Sequence, residues 1–216
     1  FMDLFHWVLL FSTLLYVSVA FVFVFGLTRR FQINLDNSYP LVSVVVAVRN
    51  EEDFIEDCLK GLASQTYPTN RFEVLVVDDN SEDKTPEIVA RIASHHKHIR
   101  CLSVGNGFPK MVAKKRPLSV GIQEAQGEII LTTDADCQVP ANWISGTVAC
   151  FEPDVGVVIG FSQIKKNGSF LTFFERLQAL DFLVLMSVAA GSANIGLPLA
   201  ASGQNLAYRK SIFDNM

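Results

Sequence analysis

Between Leu4 and Leu27 the chain reads LFHWVLLFSTLLYVSVAFVFVFGL, without one Asp, Glu, Lys or Arg. As a helix this run is roughly 36 Å long, enough to cross a hydrocarbon core of about 30 Å with some tilt. Arg29 and Arg30 follow it at once, whereas the other flank offers only Asp3. The positive-inside bias therefore places the N-terminus outside and everything after residue 30 in the cytoplasm. A cleaved signal peptide is the competing reading, but it wants a basic n-region, a shorter apolar run and a small-residue cleavage site. A buried core helix is disfavoured because the apolar residues cover every face without periodicity. The expected organisation is a transmembrane helix over 4–27, a linker over 28–40 ending in Pro40, and a cytoplasmic domain over 41–216. That arrangement implies an inner (plasma) membrane location.

Past the linker the periodicity changes. Leu41–Val48 (LVSVVVAV) is a continuous β-branched run, the pattern of a strand buried on both faces. Glu51–Ser64 has helical spacing, with acidic residues in its first turn where the helix dipole favours them. Phe72–Val77 reads as a second strand, Thr85–Ser94 as a helix with Pro86 in its first turn, and Ile99–Val104 as a third strand. A basic loop and a helix to Ala125 precede a fourth strand, Glu128–Thr133. Such alternation predicts an α/β layer structure, a mostly parallel sheet with helices on both faces. The apolar stretch Phe182–Ala201 carries Gly191, Gly196 and Pro198, with Asp181 at its edge. Those residues favour a buried or membrane-surface helix followed by a loop over a second span.

In parallel sheets ligands bind at the carboxyl ends of the strands. The charges of this chain collect there: Arg49 and Glu51 after strand one, Asp78 and Asp79 after strand two, Asp134 and Asp136 after strand four. Two carboxylates two residues apart can aim at one point, and their repulsion calls for a cation. Hard dications such as Mg²⁺ or Mn²⁺ take oxygen ligands and share them with substrate phosphates. Small Ala135 between them suits a close approach of ligand to backbone. Taken alone, the short and common D-x-D is better explained as a turn cap, and Asp78 has as its alternative an Asx turn that Ser81 caps. Lys110, Lys114, Lys115 and Arg116 form a basic cluster suited to a diphosphate, or else a solvated face. With 18 Lys+Arg against 22 Asp+Glu the net charge is −4, so no broad nucleic-acid surface is implied. The four cysteines lack zinc-site spacing and read as reduced thiols. His95, His96 and His98 read as a solvated helix C-terminus, and Asn167-Gly168-Ser169 as a sequon left idle on the cytoplasmic side.

Five segments in order carry a resemblance: SVVVAVRNEE (43–52), VLVVDDNSEDKT (74–85), KKRPLSVGI (114–122), GEIILTTDADC (127–137) and SGQNLAYRK (202–210). Together they resemble the successive motifs of family 2 glycosyltransferases. The resemblance implies a GT-A fold, a nucleotide-diphosphate sugar donor such as a UDP- or GDP-sugar, a divalent metal, and inversion at the anomeric carbon. It implies that Ala47, Arg49 and Glu51 border the nucleotide, that the Asp78–Asp79 pair serves the donor with Asp79 reading base or ribose, and that Lys114 lies near the donor pocket. Asp134 and Ala135 would face ribose and sugar, Asp136 would ligate the metal with Asp134 beside it, and Gly203 and Asn205 would line the acceptor side. The acceptor would be a lipid or a saccharide.

Two departures stand out. Ala47 occupies the place of a usual Pro, and Pro117 that of a usual small residue. The acceptor-activating base that the resemblance implies is expected beyond Met216, in a longer protein of which this is the N-terminal portion. Asp181 and Asp214 do not fit its motif, so no catalytic base is assigned. Competing readings are an inactive nucleotide-sugar-binding relative, a sugar-phosphate nucleotidyltransferase, and a receiver-like module. The nucleotidyltransferase wants a Gly-rich loop where VAVRNEED has no Gly. The receiver wants its acidic pair after the first strand.

Overall fold

The structure, a computed structural model, describes residues 3–29, 39–105, 114–164 and 171–214. Arg30, most of the linker, Asn106, Gly107, Lys110, the 167–169 sequon and Met216 lie outside the described residues, as does the side chain of Asp214. The chain forms two compact units.

One unit holds two helices, α1 (Leu4–Thr28) and α6 (Phe173–Asn194). α1 is long and apolar enough to cross a membrane, and of its residues only Gly26 is buried. α6 starts on a capping box: Glu175 N–H donates to the Thr172 hydroxyl (3.3 Å) while Thr172 N–H donates to the Glu175 carboxylate (2.7 Å). That reciprocal pair satisfies two of the orphan donors of the first turn. The helix ends where Gly196, at φ +82, reverses the chain and Leu197 N–H reaches back to the Ser192 carbonyl. A residue with a Cβ would be strained there. The expected helix followed by a loop is thus present, with its start nine residues earlier than Phe182.

The other unit is a six-stranded sheet with helices on both faces. Its elements are β1 (Val42–Val48), α2 (Ile55–Ala63), β2 (Phe72–Asp78), α3 (Thr85–Ala93), β3 (Ile99–Ser103), α4 (Lys115–Glu124), β4 (Ile129–Asp134), α5 (Trp143–Val148), β5 (Val157–Ile159), β6 (Leu206–Arg209) and α7 (Lys210–Asp214). The strand order is β3-β2-β1-β4-β6-β5. β1 pairs parallel with β2 and β4, and β2 with β3, whereas β6 runs antiparallel to both β4 and β5. This is the GT-A arrangement of a mostly parallel sheet between helices.

Alternation along the central strands builds two cores. Val42, Val44, Val46 and Val48 of β1, with Val74 and Val76 of β2 and Ile129 and Leu131 of β4, face α2, α3 and α5 through Ile55, Leu59, Leu62, Val89 and Ile144. Val45, Leu75, Val77 and Ile130 take the other face, against Ile122 of α4. A strand buried on both sides has no polar face, which is why β1, apart from Ser43, reads as an apolar run. Gly121 lets α4 sit close: a Cβ there would lie 2.9 Å from Val77 Cγ2 and nearer still to Val45.

The histidine reading needs correction. His95 does hold the end of α3, its Nδ1 2.9 Å from the Arg91 carbonyl oxygen. His98, however, is half-buried and tilts against Phe72 with ring centroids 4.7 Å apart. Burial, and then the neighbouring His96, hold its pKa below the usual value, so neutral imidazole is the favoured form there.

Candidate functional site

Parallel pairing brings three strand ends together. Val48 at the end of β1 lies opposite Asp78 of β2, and Ala47 lies opposite Asp134 of β4. The carboxylates that sequence places after strands one, two and four therefore share one edge of the sheet. The loops after β1 and β2 are laced together there. Asn50 N–H donates to the Ser81 hydroxyl (2.9 Å), Glu51 N–H to the Thr85 hydroxyl (2.8 Å), and Glu82 N–H to the Asn50 side-chain oxygen (2.8 Å). Asn50 and Asn80 both adopt left-handed backbone, φ 55 and 57, which Asn tolerates better than most residues. Such cross-loop bonds fix Glu51 in place without using its carboxylate.

The two acidic residues after β2 divide their work. Asp78 accepts from the Ser81 hydroxyl (2.5 Å) and from Ser81 N–H (3.3 Å), so it closes the turn. Asp79 is held by an ion pair with Arg116, Nη2 to Oδ1 2.9 Å, the two side chains 26% and 15% exposed. The buried Arg116 Nε has no hydrogen-bond partner among the described residues. Lys114 forms a second pair, Nζ to Asp134 Oδ2 3.2 Å. Lys114, Lys115 and Arg116 thus crowd the amino end of α4, where the helix dipole disfavours cations. The acidic strand ends offset that cost, and cations gathered at a helix N-terminus favour an anionic ligand.

Around the D-x-D, Asp134 is half-buried and Asp136 exposed, while Ala135 is packed with the first core. The small side chain of Ala135 therefore serves packing, and the flanking aspartates face outward. Cys137 N–H bonds the Asp134 carbonyl at 3.1 Å, closing the turn. Glu51 senses this cluster: its pKa lies above the ordinary value, first through burial, then through Asp136, with Lys114 opposing and Asp134 adding to the rise. Cys58 donates to the Asp134 carbonyl (3.6 Å), and burial above all pushes its thiol up to about 12, so it is inert.

Among the described residues no three His, Cys, Asp or Glu groups close on one point as a metal cage. The donor set is nonetheless one of carboxylate oxygens whose mutual repulsion a dication would relieve. It suits a hard cation that takes its remaining ligands from phosphate and water. Asp136, with Asp134 beside it, would hold that ion.

Gly203 and Asn205 arrive by a different route. They form a 3₁₀ turn (Gly203–Asn205) leading into β6, and the Gly203 carbonyl accepts from the Thr132 hydroxyl of β4 at 2.9 Å. A Cβ at Gly203 would meet no atom of the described residues within 4 Å. The Asn205 side-chain oxygen accepts from the Trp143 indole N–H at 3.0 Å, and its carbonyl from Gly160 N–H at 2.7 Å. Arg209, from the same motif, bonds the Val155 and Glu152 carbonyls at 3.0 Å and lies over the Phe151 ring, a scaffold role. Arg49, Lys114, Asp136 and Gly203 are the exposed members of the set.

Arg116 was legible only as part of a basic cluster, because its partner lies 37 residues away. Trp143, which positions Asn205, carries no motif signal at all.

The profile of the family described as "Glycosyl transferase family 2" matches residues 43–215. The chain belongs to glycosyl transferase family 2. Family relatives include a beta-monoglucosyldiacylglycerol synthase of a Nostoc species, 34% identical over 66% of this chain and 30% of the relative. The probable glycosyltransferase YdaM of Bacillus subtilis is 30% identical over 82% of this chain and 42% of its own length. The chain thus spans less than half the length of these curated relatives. Among solved structures, the mannosyltransferase PcManGT of Pyrobaculum calidifontis, in complex with GDP-Man and Mn²⁺, aligns with a TM-score of 0.67 at 22% identity. That match covers 94% of this chain and 56% of the other, and it shows the fold.

Proposed function

We propose that the protein is a membrane-anchored, inverting glycosyltransferase that moves a sugar from a UDP- or GDP-sugar to a lipid or saccharide acceptor. The observation that carries this reading is the single sheet edge where Glu51, Asp79, Asp134 and Asp136 meet Lys114 and Arg116. Mixed charge of this kind suits a ligand with polar hydroxyls at one end and a diphosphate at the other. Asp79, oriented by Arg116, would accept hydrogen bonds from base or ribose, on the turn that Asp78 shapes. Lys114, released from Asp134 when donor binds, would face the diphosphate. Mg²⁺ or Mn²⁺ at Asp136 supplies charge stabilisation for the leaving diphosphate when bound. Gly203 and Asn205, beside β4, would border the sugar and acceptor. A general base elsewhere in the whole protein would take the acceptor proton.

The anchor is α1, with Arg29 at its cytoplasmic end and the donor site on the side where nucleotide sugars are made. A PcManGT-like fold with GDP-Man and Mn²⁺ and a glycolipid synthase among the relatives support donor and acceptor class. Membranes carrying the whole protein should release nucleoside diphosphate from one labelled UDP- or GDP-sugar and pass label to a lipid or oligosaccharide, with inverted anomeric configuration by NMR. Nucleotide release without any labelled acceptor, or retention of configuration, would refute it.

A further inference from the structure

We infer that α6 lies in the headgroup layer of the membrane as a second lipid-facing element, fastened to α1 at the Arg29 end; this rests on the reading of α1 as a span. Phe173, Leu177, Leu180 and Val184 recur at i, i+4, i+7 and i+11, one stripe of the helix. They are 78%, 48%, 56% and 54% exposed. Of the buried residues, Met186 and Ala189 lie on the opposite side, whereas Gly191, about five turns on from Phe173, continues the stripe where it meets α1. A continuous apolar stripe of this length facing water is unusual and marks a contact surface.

The contact with α1 identifies the occupant. A Cβ on Gly26 would stand 2.8 Å from the Gly191 carbonyl carbon, and a Cβ on Gly191 would run into the Phe23 carbonyl. Backbones that meet through glycine are the means by which helices associate where lipid removes the hydrophobic drive. Asn194 Nδ2 donates to the Gly26 carbonyl (3.1 Å) and Arg29 Nη1 to the Asn194 carbonyl (3.5 Å). The last turn of α6 is therefore level with Arg29, the residue that would sit among the headgroups. α6 does not cross the bilayer. Its uncharged stretch, residues 182–194, is only about 20 Å long, and Glu175, Arg176 and Asp181 precede it. A helix with charges in its first half and an uncharged remainder too short to span the bilayer lies in the interface plane.

The test places a photocrosslinking amino acid at Leu180 or Val184 of the full chain in phosphatidylethanolamine–phosphatidylglycerol vesicles, with Phe11 in α1 and Lys60 on α2 as controls. Lipid adducts from 180 and 184 comparable to those from 11, with none from 60, are expected. Adducts from 11 but only water insertion at 180 and 184 would overturn the inference and leave the anchor standing. Crosslinks between two copies of the chain would equally overturn it, assigning the stripe to self-association. No lipid adduct at 11 would remove the anchor reading and this inference with it. Gly191→Leu should cut the lipid yield at 180 severalfold while sparing that at 11; an unchanged yield would overturn the fastening to α1.

Discussion

Arg116→Ala should weaken both the fold and donor binding, and the structure sets the size of each effect. The pair is short, 2.9 Å, with side chains only 26% and 15% exposed. Exposed ion pairs contribute about 0–1 kcal/mol, whereas breaking a fully buried one costs about 3–5 kcal/mol. This pair lies between, because truncation strands a mostly buried Asp79 carboxylate that still has some access to water. A loss of about 2 kcal/mol follows, or roughly 4–8 °C in Tm for a chain of this size. A double-mutant cycle with Asp79→Asn isolates the coupling, expected at about 1 kcal/mol. Arg116→Lys should restore part of it, since an ammonium keeps the charge but loses the planar donors. Nucleotide affinity should fall about tenfold in Arg116→Ala, because Asp79 is no longer held in one orientation. The assays are thermal melts in detergent and calorimetry with UDP and GDP. Coupling under about 0.3 kcal/mol together with unchanged nucleotide affinity would refute the argument; a lower Tm with full affinity would confine Arg116 to the fold.

Gly121→Val should push α4 off Val45 and Val77, costing about 1–3 kcal/mol as overpacking and weakening diphosphate binding because Lys114 and Arg116 ride on that helix. A variant with native Tm and affinity would show that the contact is slack. His98 has a folded pKa below its unfolded value, so the unfolded chain takes up the proton first. Its contribution is complete above about pH 6.5 and is lost as pH falls through that value toward the folded pKa. His98→Phe should accordingly lose less stability than the native chain between pH 7.5 and 5.5 in urea titrations, and parallel losses would exclude the histidine as the cause. A reporter fused after residue 38 should resist external protease in intact cells; cleavage would place the sheet unit outside.

What the sequence made legible follows from where its signals are local. β1, β2 and β4 are read within a residue of their observed bounds because each is largely buried on both faces and so mostly apolar. Their carboxylates follow directly, because parallel pairing sends every such strand end to the same edge. β5 and β6 escaped notice: three and four residues are too short for periodicity, and their antiparallel pairing lies outside the strand–helix alternation. Asp78 and Asp79 look equivalent in sequence, and only the Ser81 and Arg116 contacts separate a turn former from a held carboxylate. His98 likewise needed Phe72, 26 residues earlier, to become a partly buried neutral ring.

The central claim, that this sheet edge binds a nucleotide sugar through a dication at Asp136, is tested most directly by calorimetry of UDP- and GDP-sugars on the native chain and on Asp136→Ala, each with Mn²⁺ and with chelator. Binding of one donor only when Mn²⁺ is present, weakened more than tenfold (about 1.4 kcal/mol) by Asp136→Ala, is the predicted result. Equal affinity in all four conditions would contradict it and leave Asp134-Ala135-Asp136 as a turn.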